Sequence, residues 1–236
     1  MLPSSTVENY LKAIYSAQRA LGESALVPMG QLASALEVVP GTATTMVKAL
    51  AESGLVQYEP YAGVRLTPAG DKLAALVLRR HRLIELFLVQ VMGMSWAEVH
   101  DEAEHLEHAV SERLIGRMDE MLGYPSVDPH GDPIPNAEGG VHERSYHTLL
   151  DCPLAQPVLV ARVADQDADF LRFLEQSALM PGQAITVVER DTAADSVAVQ
   201  GADARRIVLG ARAASKVLVD VPAVTAGSAA PRARAR

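Results

Sequence analysis

The 236-residue sequence has few of the features that usually reinforce or localise a protein. A single cysteine, Cys152, excludes an intramolecular disulfide framework and points to a reducing compartment. Aromatic residues make up only 4%, so the cores must be built from Leu, Val, Ala, Ile and Met, a set that favours helices. The longest uninterrupted apolar run is the six residues 73–78, far short of the roughly 20 that a membrane-spanning helix needs. The opening MLPSSTVENYLK has neither a basic n-region nor an apolar h-region, so no secretory signal is expected and a cytoplasmic location is. An excess of basic charge is missing too. Lys and Arg number 21 against 29 Asp and Glu, a formal net charge of −8, which taken alone argues against a nucleic-acid binder.

What is present is an ordinary globular composition, 49% hydrophobic and 21% charged, long enough for one large domain or two to three small ones. Tyr10, Leu11, Ile14 and Tyr15 fall at helical spacing behind Ser5 and Thr6 as candidate N-caps. Met29, Leu32, Ala33 and Leu36 make a second helix. Pro40 opens a third, carrying Ala43, Val47 and Leu50 to a stop at Ser53-Gly54. Two short alternating stretches around Ala62-Gly63 then read as a β-hairpin, which completes a winged helix-turn-helix. Thr67-Pro68 caps a long helix to about Met92, and helices follow near 95–109 and 111–122. From Tyr124 the text turns to Pro, Gly, His and Asp and loses its period, as a linker does. Strand-rich pieces at 157–163, 184–189, 196–200, 206–209 and 216–221 flank a short helix at 167–177. The predicted fold is mainly α with small β. Its division is a winged helix-turn-helix over 1–74, a helical domain over 75–140, a linker over 141–156, a small strand-rich domain over 157–223 and a disordered tail over 224–236. There are no internal repeats.

The stretch 100–108, HDEAEHLEH, carries the chemistry. At about 100° per residue, His100, Glu104, Glu107 and His108 share one stripe of a helix, while Asp101 and His105 point elsewhere. Unpaired, the two carboxylates would repel each other, and a divalent cation relieves them. A second stripe, His81 and Glu85 at i and i+4, lies upstream. The bland reading is a solvated face with ion pairs, and it suits one His/Glu pair better than two stripes on neighbouring helices. The donors are imidazole nitrogens and carboxylate oxygens without a thiolate or thioether. That set suits Mn(II) or Fe(II), lets Zn(II) and Co(II) compete, and disfavours Cu(I).

VENYLKAIY at 7–15, the winged helix over 28–67, RRHRLIE at 79–85, VHDEAEHLEH at 99–108 and HGDPIP at 130–135 together resemble the diphtheria toxin repressor family of metal-dependent transcriptional regulators. The ligands resemble most the manganese-responsive branch, and the last domain resembles the SH3-like (FeoA-type) β-barrel domain of the longer members. The resemblance implies a primary regulatory site of Glu104, Glu107 and His108 completed by Asn9 on the first helix. It implies an ancillary site of His81, Glu85 and His100, to which the third domain lends Asp165, Gln166 or neither. Glu104 stands where iron-responsive members have cysteine, Asn9 where relatives use Met or Asp, and Lys12 where the short manganese regulators have a further carboxylate. Mn(II) is the implied cofactor, with Fe(II) as the alternative and Zn(II), Co(II) or Cd(II) as substitutes in vitro.

On the third helix Thr42, Thr44, Thr45 and Lys48 lie opposite the core positions, and the hairpin offers Tyr58, Tyr61 and Arg65 as backbone contacts. Residues 1–75 hold five basic and six acidic side chains, so an ion-free chain is expected to bind DNA poorly, and two divalent ions would bring the formal −8 to −4. The expected protein is a homodimer on a near-palindromic double-stranded operator controlling metal-uptake genes. No membrane partner, small organic ligand or catalytic residue is expected. The rival class is a di-metal carboxylate enzyme, whose repeated Glu-x-x-His motif occurs here once, at Glu102 and His105. Cys152 in a Pro-flanked linker and Ser111 at a helix start make poor nucleophiles.

Overall fold

A computed structural model describes residues 4–22, 24–142 and 144–222; the tail expected to be disordered over 224–236 lies outside them. The chain divides into two compact units at 144/145.

The first unit opens with α1 (Ser5–Leu21), α2 (Met29–Ala35) and α3 (Pro40–Glu52), followed by the antiparallel hairpin β1 (Val56–Glu59) and β2 (Gly63–Leu66). The cap of α1 is Ser4, whose hydroxyl accepts from the Val7 backbone N–H, so Ser5 and Thr6 lie one and two positions inside the helix. Pro40 opens α3 as expected. Tyr10, Leu11 and Ile14 of α1, Leu32 of α2, Val47 and Leu50 of α3 and Val64 of β2 share one buried core. The wing is tied to that core at its base, where the Val27 N–H donates to the Val64 carbonyl at 2.8 Å and the Val64 N–H donates to the Val27 carbonyl at 3.0 Å. Gly63, at φ +149°, allows this approach; a Cβ there would stand 2.5 Å from the Val27 carbonyl oxygen.

The long helix α4 (Pro68–Gln90) is capped by Thr67 and packs on α1, then continues into a second core with α5 (Val99–Leu106) and α6 (Glu112–Met121), built on Leu83, Ile84, Val99, Ala103 and Ile115. The stretch after Tyr124 that loses its period in the sequence is not slack. Asp128, His130 and Asp132 are buried, and Arg79 donates to the Pro135 carbonyl at 2.7 Å while Arg82 donates to that of Pro133. Polar side chains hold this segment, which is why no hydrophobic period marks it.

The second unit contains β3 (His147–Thr148), β4 (Pro157–Val163), α7 (Ala168–Gln176), β5 (Ala184–Asp191), β6 (Ser196–Gly201), β7 (Arg206–Gly210), α8 (Ala211–Ala214) and β8 (Val217–Asp220). Its strands form one six-stranded antiparallel sheet in the order β3-β8-β4-β5-β6-β7. This is the small SH3-like domain expected from the sequence. No helix among the described residues is long and apolar enough to cross a membrane.

Candidate metal centre

The midsection of α4 is unusually polar for a buried helix. Arg80, His81 and Glu85 are all under 5% exposed, so each must be paired to offset its desolvation. His81 is paired at both ring nitrogens. Nδ1 lies 2.7 Å from Glu107 Oε2, and Nε2 lies 3.0 Å from Glu85 Oε1 and 3.1 Å from His100 Nδ1. His100 Nδ1 is in turn 3.2 Å from Glu85 Oε1. Burial works against charge on His81, yet the hydrogen bonds with Glu107 and Glu85 outweigh it and push the imidazole up to about 9. Burial would raise the Glu85 and Glu107 carboxyls, but His100 and His81 hold Glu85 below the ordinary range, and His81 with Lys12 does the same for Glu107.

The first helix reaches the same place. Lys12 Nζ sits 2.6 Å from Glu104 Oε1 and 2.7 Å from Glu107 Oε1. One turn earlier Glu8, 2% exposed, accepts from Arg80 Nη2 at 2.5 Å through Oε1 and pairs with His108 Nδ1 at 2.6 Å through Oε2. His108 Nε2, 3.4 Å from Glu107 Oε1, is buried without a hydrogen-bond partner. The stripe read from the sequence thus faces α4 and α1 together.

Among the described residues, three groups of His, Asp and Glu bring one potential ligand atom from each residue within 4.8 Å of the others: His81, Glu85 and His100; His81, Glu104 and Glu107; and Glu85, Asp128 and His130. The third was not read from the sequence, and all its members are buried. His130 Nε2 lies 2.9 Å from the Trp96 carbonyl, which can only accept, so Nε2 donates that bond and Nδ1 is left to face elsewhere. That Nδ1 faces Glu85 Oε2 at 4.0 Å. Glu85 Oε2, Asp128 Oδ2 and His130 Nδ1 are all buried and without hydrogen-bond partners, although Arg82 Nε approaches Asp128 Oδ2 at 3.6 Å. Full burial and the charges of Asp132 and Glu85 raise the Asp128 carboxyl well above the ordinary range. Two buried carboxyl oxygens and an imidazole nitrogen without hydrogen-bond partners are what a divalent cation would satisfy, and the residues fit one. HGDPIP stands out in the sequence, but nothing in its spacing tells that Asp128 and His130 turn inward toward Glu85.

Asn9 lies in none of these groups; its Oδ1 is buried and has no hydrogen-bond partner among the described residues. Asp165 belongs to the second unit, where Lys216 pairs with it and also lies over the Phe170 ring at 5.3 Å, and Gln166 follows it in the same loop. Thr42, Thr45 and Lys48 are exposed on α3 and Thr44 is half-exposed. The Thr44 and Thr45 hydroxyls donate to the carbonyls of Pro40, at 2.8 Å, and Gly41, at 3.0 Å, so they are occupied as donors. Tyr61 stands wholly exposed at the wing tip, Tyr58 packs against the first core, and Arg65 Nε donates to Gln57 Oε1 at 2.8 Å. Cys152 is buried beside Arg190, and burial pushes its thiol up, which does not suit a nucleophile.

Residues 3–64 match the iron dependent repressor N-terminal DNA binding domain, residues 67–136 the iron dependent repressor metal binding and dimerisation domain, and residues 147–221 the FeoA domain. The iron-dependent repressor IdeR of Mycobacterium tuberculosis is 31% identical over 77% of this chain and 83% of its own length. The diphtheria toxin repressor of Corynebacterium glutamicum is 33% identical over 91% and 92%. A solved manganese-dependent transcriptional repressor in complex with manganese is 39% identical with a TM-score of 0.82, covering 91% of this chain and 99% of that one. These relatives are repressors rather than enzymes, and the di-metal enzyme reading gives way. With both DNA-binding and metal-binding domains matched in order, and with its His/Glu ridge folded against the first helix, the chain belongs to the diphtheria toxin repressor family of metal-dependent transcriptional repressors.

Proposed function

We propose that this chain is a cytoplasmic, homodimeric repressor whose effector is Mn(II) and whose target is a near-palindromic operator controlling metal-uptake genes. The observation that carries the reading is the buried trio of Glu85, Asp128 and His130, with one unpartnered ligand atom on each. Bound there, a divalent ion would supply two positive charges to a cluster that Arg82 approaches on the Asp128 side and His81 on the Glu85 side. His81 and His100 extend the ligand set around Glu85, and Asn9, Glu104, Glu107 and His108 form the second set, between α1 and α5. Imidazole nitrogens and hard oxygens without a sulfur donor favour Mn(II) over softer ions.

The residues also link the two tasks. Glu8 and Lys12 lie on α1, in the DNA-binding half, and their partners Arg80, Glu104, Glu107 and His108 lie on α4 and around α5. A change of charge at the centre therefore acts on the orientation of α1 and, through the shared core, on α3. In the dimer this fixes two recognition helices about 34–36 Å apart, one turn of DNA. Exposed Thr42, Thr45, Lys48 and Tyr61 supply contacts to the phosphate backbone.

Fluorescence anisotropy on promoter fragments of metal-uptake genes, titrated separately with Mn(II), Fe(II) and Zn(II), tests the reading. Mn(II) should tighten binding at least tenfold over chelator-treated protein. Glu85→Gln and His130→Ala should each remove most of that gain, and full metal-dependent binding by both variants would refute it.

A further inference from the structure

The two halves of the centre differ in the cation that faces their carboxylates: an imidazole, itself a potential ligand, beside Glu85, and a lysine ammonium, which cannot ligate while charged, in the α1–α5 set. Lys12 Nζ, on a side chain only 14% exposed, lies within 2.7 Å of a carboxylate oxygen from both Glu104 and Glu107. The same Glu107 oxygen faces the unpartnered His108 Nε2 at 3.4 Å. Glu104, Glu107 and His108 are three of the four residues proposed for the α1–α5 ligand set, and the two carboxylates among them hold the lysine ammonium. Around Glu85 the neighbours among the described residues are the imidazoles of His81, His100 and His130, and its Oε2 has no hydrogen bond.

We propose that Lys12 is the resident cation of the α1–α5 set, so that a divalent ion enters that set only by displacing the lysine ammonium, and the Glu85 side fills first. An ammonium and a divalent ion cannot share Glu104 Oε1 and Glu107 Oε1, because two cations held within a few ångströms repel strongly in a partly buried site. The lysine also does structural work in the ion-free chain. Glu107 is fully buried, and without Lys12 its Oε1 would lose its nearest positive charge. Lys12 thus sets the metal concentration at which the second site answers and keeps α1 attached to α5 until then.

The inference rests on the metal-activated reading above, and its test separates the two. Mn(II) binding to the full chain is measured by electron paramagnetic resonance and calorimetry for wild type, Lys12→Met and Lys12→Arg. Wild type should show one tight and one weak class of sites. Lys12→Met should tighten the weak class at least tenfold and leave the tight class unchanged, and Lys12→Arg should behave as wild type. Ion-free Lys12→Met should melt below wild type and regain more stability on adding Mn(II). Equal affinity of the second class in wild type and Lys12→Met would overturn the role of Lys12 alone; no ion bound by any of the three would overturn the metal-activated reading with it. If Lys12→Met does not fold, wild-type protein with labelled lysine is titrated with diamagnetic Cd(II). The Lys12 side-chain resonance should move only with the second equivalent, and movement with the first overturns the proposal.

Discussion

Glu8 joins two partners from different parts of the chain, the Arg80 guanidinium on α4 and the His108 imidazole beyond α5, while almost wholly buried itself. Removing it leaves the Arg80 guanidinium, 4% exposed, with only the Glu107 carbonyl at 3.2 Å and a distant Glu112 at 3.7 Å. Breaking such a pair from one side costs far more than the pair contributes net, so Glu8→Ala should destabilise the ion-free protein by about 3–5 kcal/mol, read from the urea unfolding midpoint. A loss under about 1 kcal/mol would show that Arg80 finds water instead. Lys12 stands out in the sequence only as a departure from the family's pattern and Glu8 not at all, because their partners lie some 70 to 100 positions away and only packing brings them together. His81 and Glu85 on α4 and His100 and Glu104 on α5 were legible for the opposite reason, since helical spacing aligns them, and Glu107 and His108 continue that stripe in the turn just past α5. Asp128 and His130 were not, since an irregular segment has no period from which to read an inward face.

At the scale of elements, the helices follow from their apolar period and their caps, with Thr67, Ser111 and Pro40 all placed as expected. The fifth helix is shorter than the sequence predicts. It begins at Val99 because Ser95 to Glu98 form a turn that buries Trp96 against His130, with ring centroids 5.4 Å apart, and aims the Trp96 carbonyl at His130 Nε2. Helical propensity is overridden there by a side chain that the ligand set uses. The start of α4 is equally constrained. Gly70 lies against the Leu55 carbonyl, and an added Cβ would fall 1.9 Å from that oxygen. Backbone, not a flexible side chain, would have to move, so Gly70→Ala should cost about 1–3 kcal/mol despite the better helix propensity of alanine, measurable by thermal or urea melts. A neutral or stabilising result would mean that the α4 start can slide on the wing.

For the whole molecule, a formal net charge of −8 conflicts with DNA binding until cations are counted. Ligand binding to the native state alone stabilises it by mass action. Mn(II) at 100 times its dissociation constant should add about 2.7 kcal/mol for each independent site, and a chelator should reverse the gain. An unfolding midpoint indifferent to Mn(II) would count against buried sites. Domain order and fold class were readable from the change of period along the chain, from helical to aperiodic to alternating.

The reciprocal bonds between Val27 and Val64 have a consequence for how DNA is gripped. They fasten the wing to the stretch between α1 and α2 where Gly63 lets two backbones touch, and both belong to the core that holds α3. Wing and α3 are therefore expected to travel as one stiff jaw, so that hydrogen exchange of the Val27 and Val64 amides should be slow whether or not metal or DNA is added.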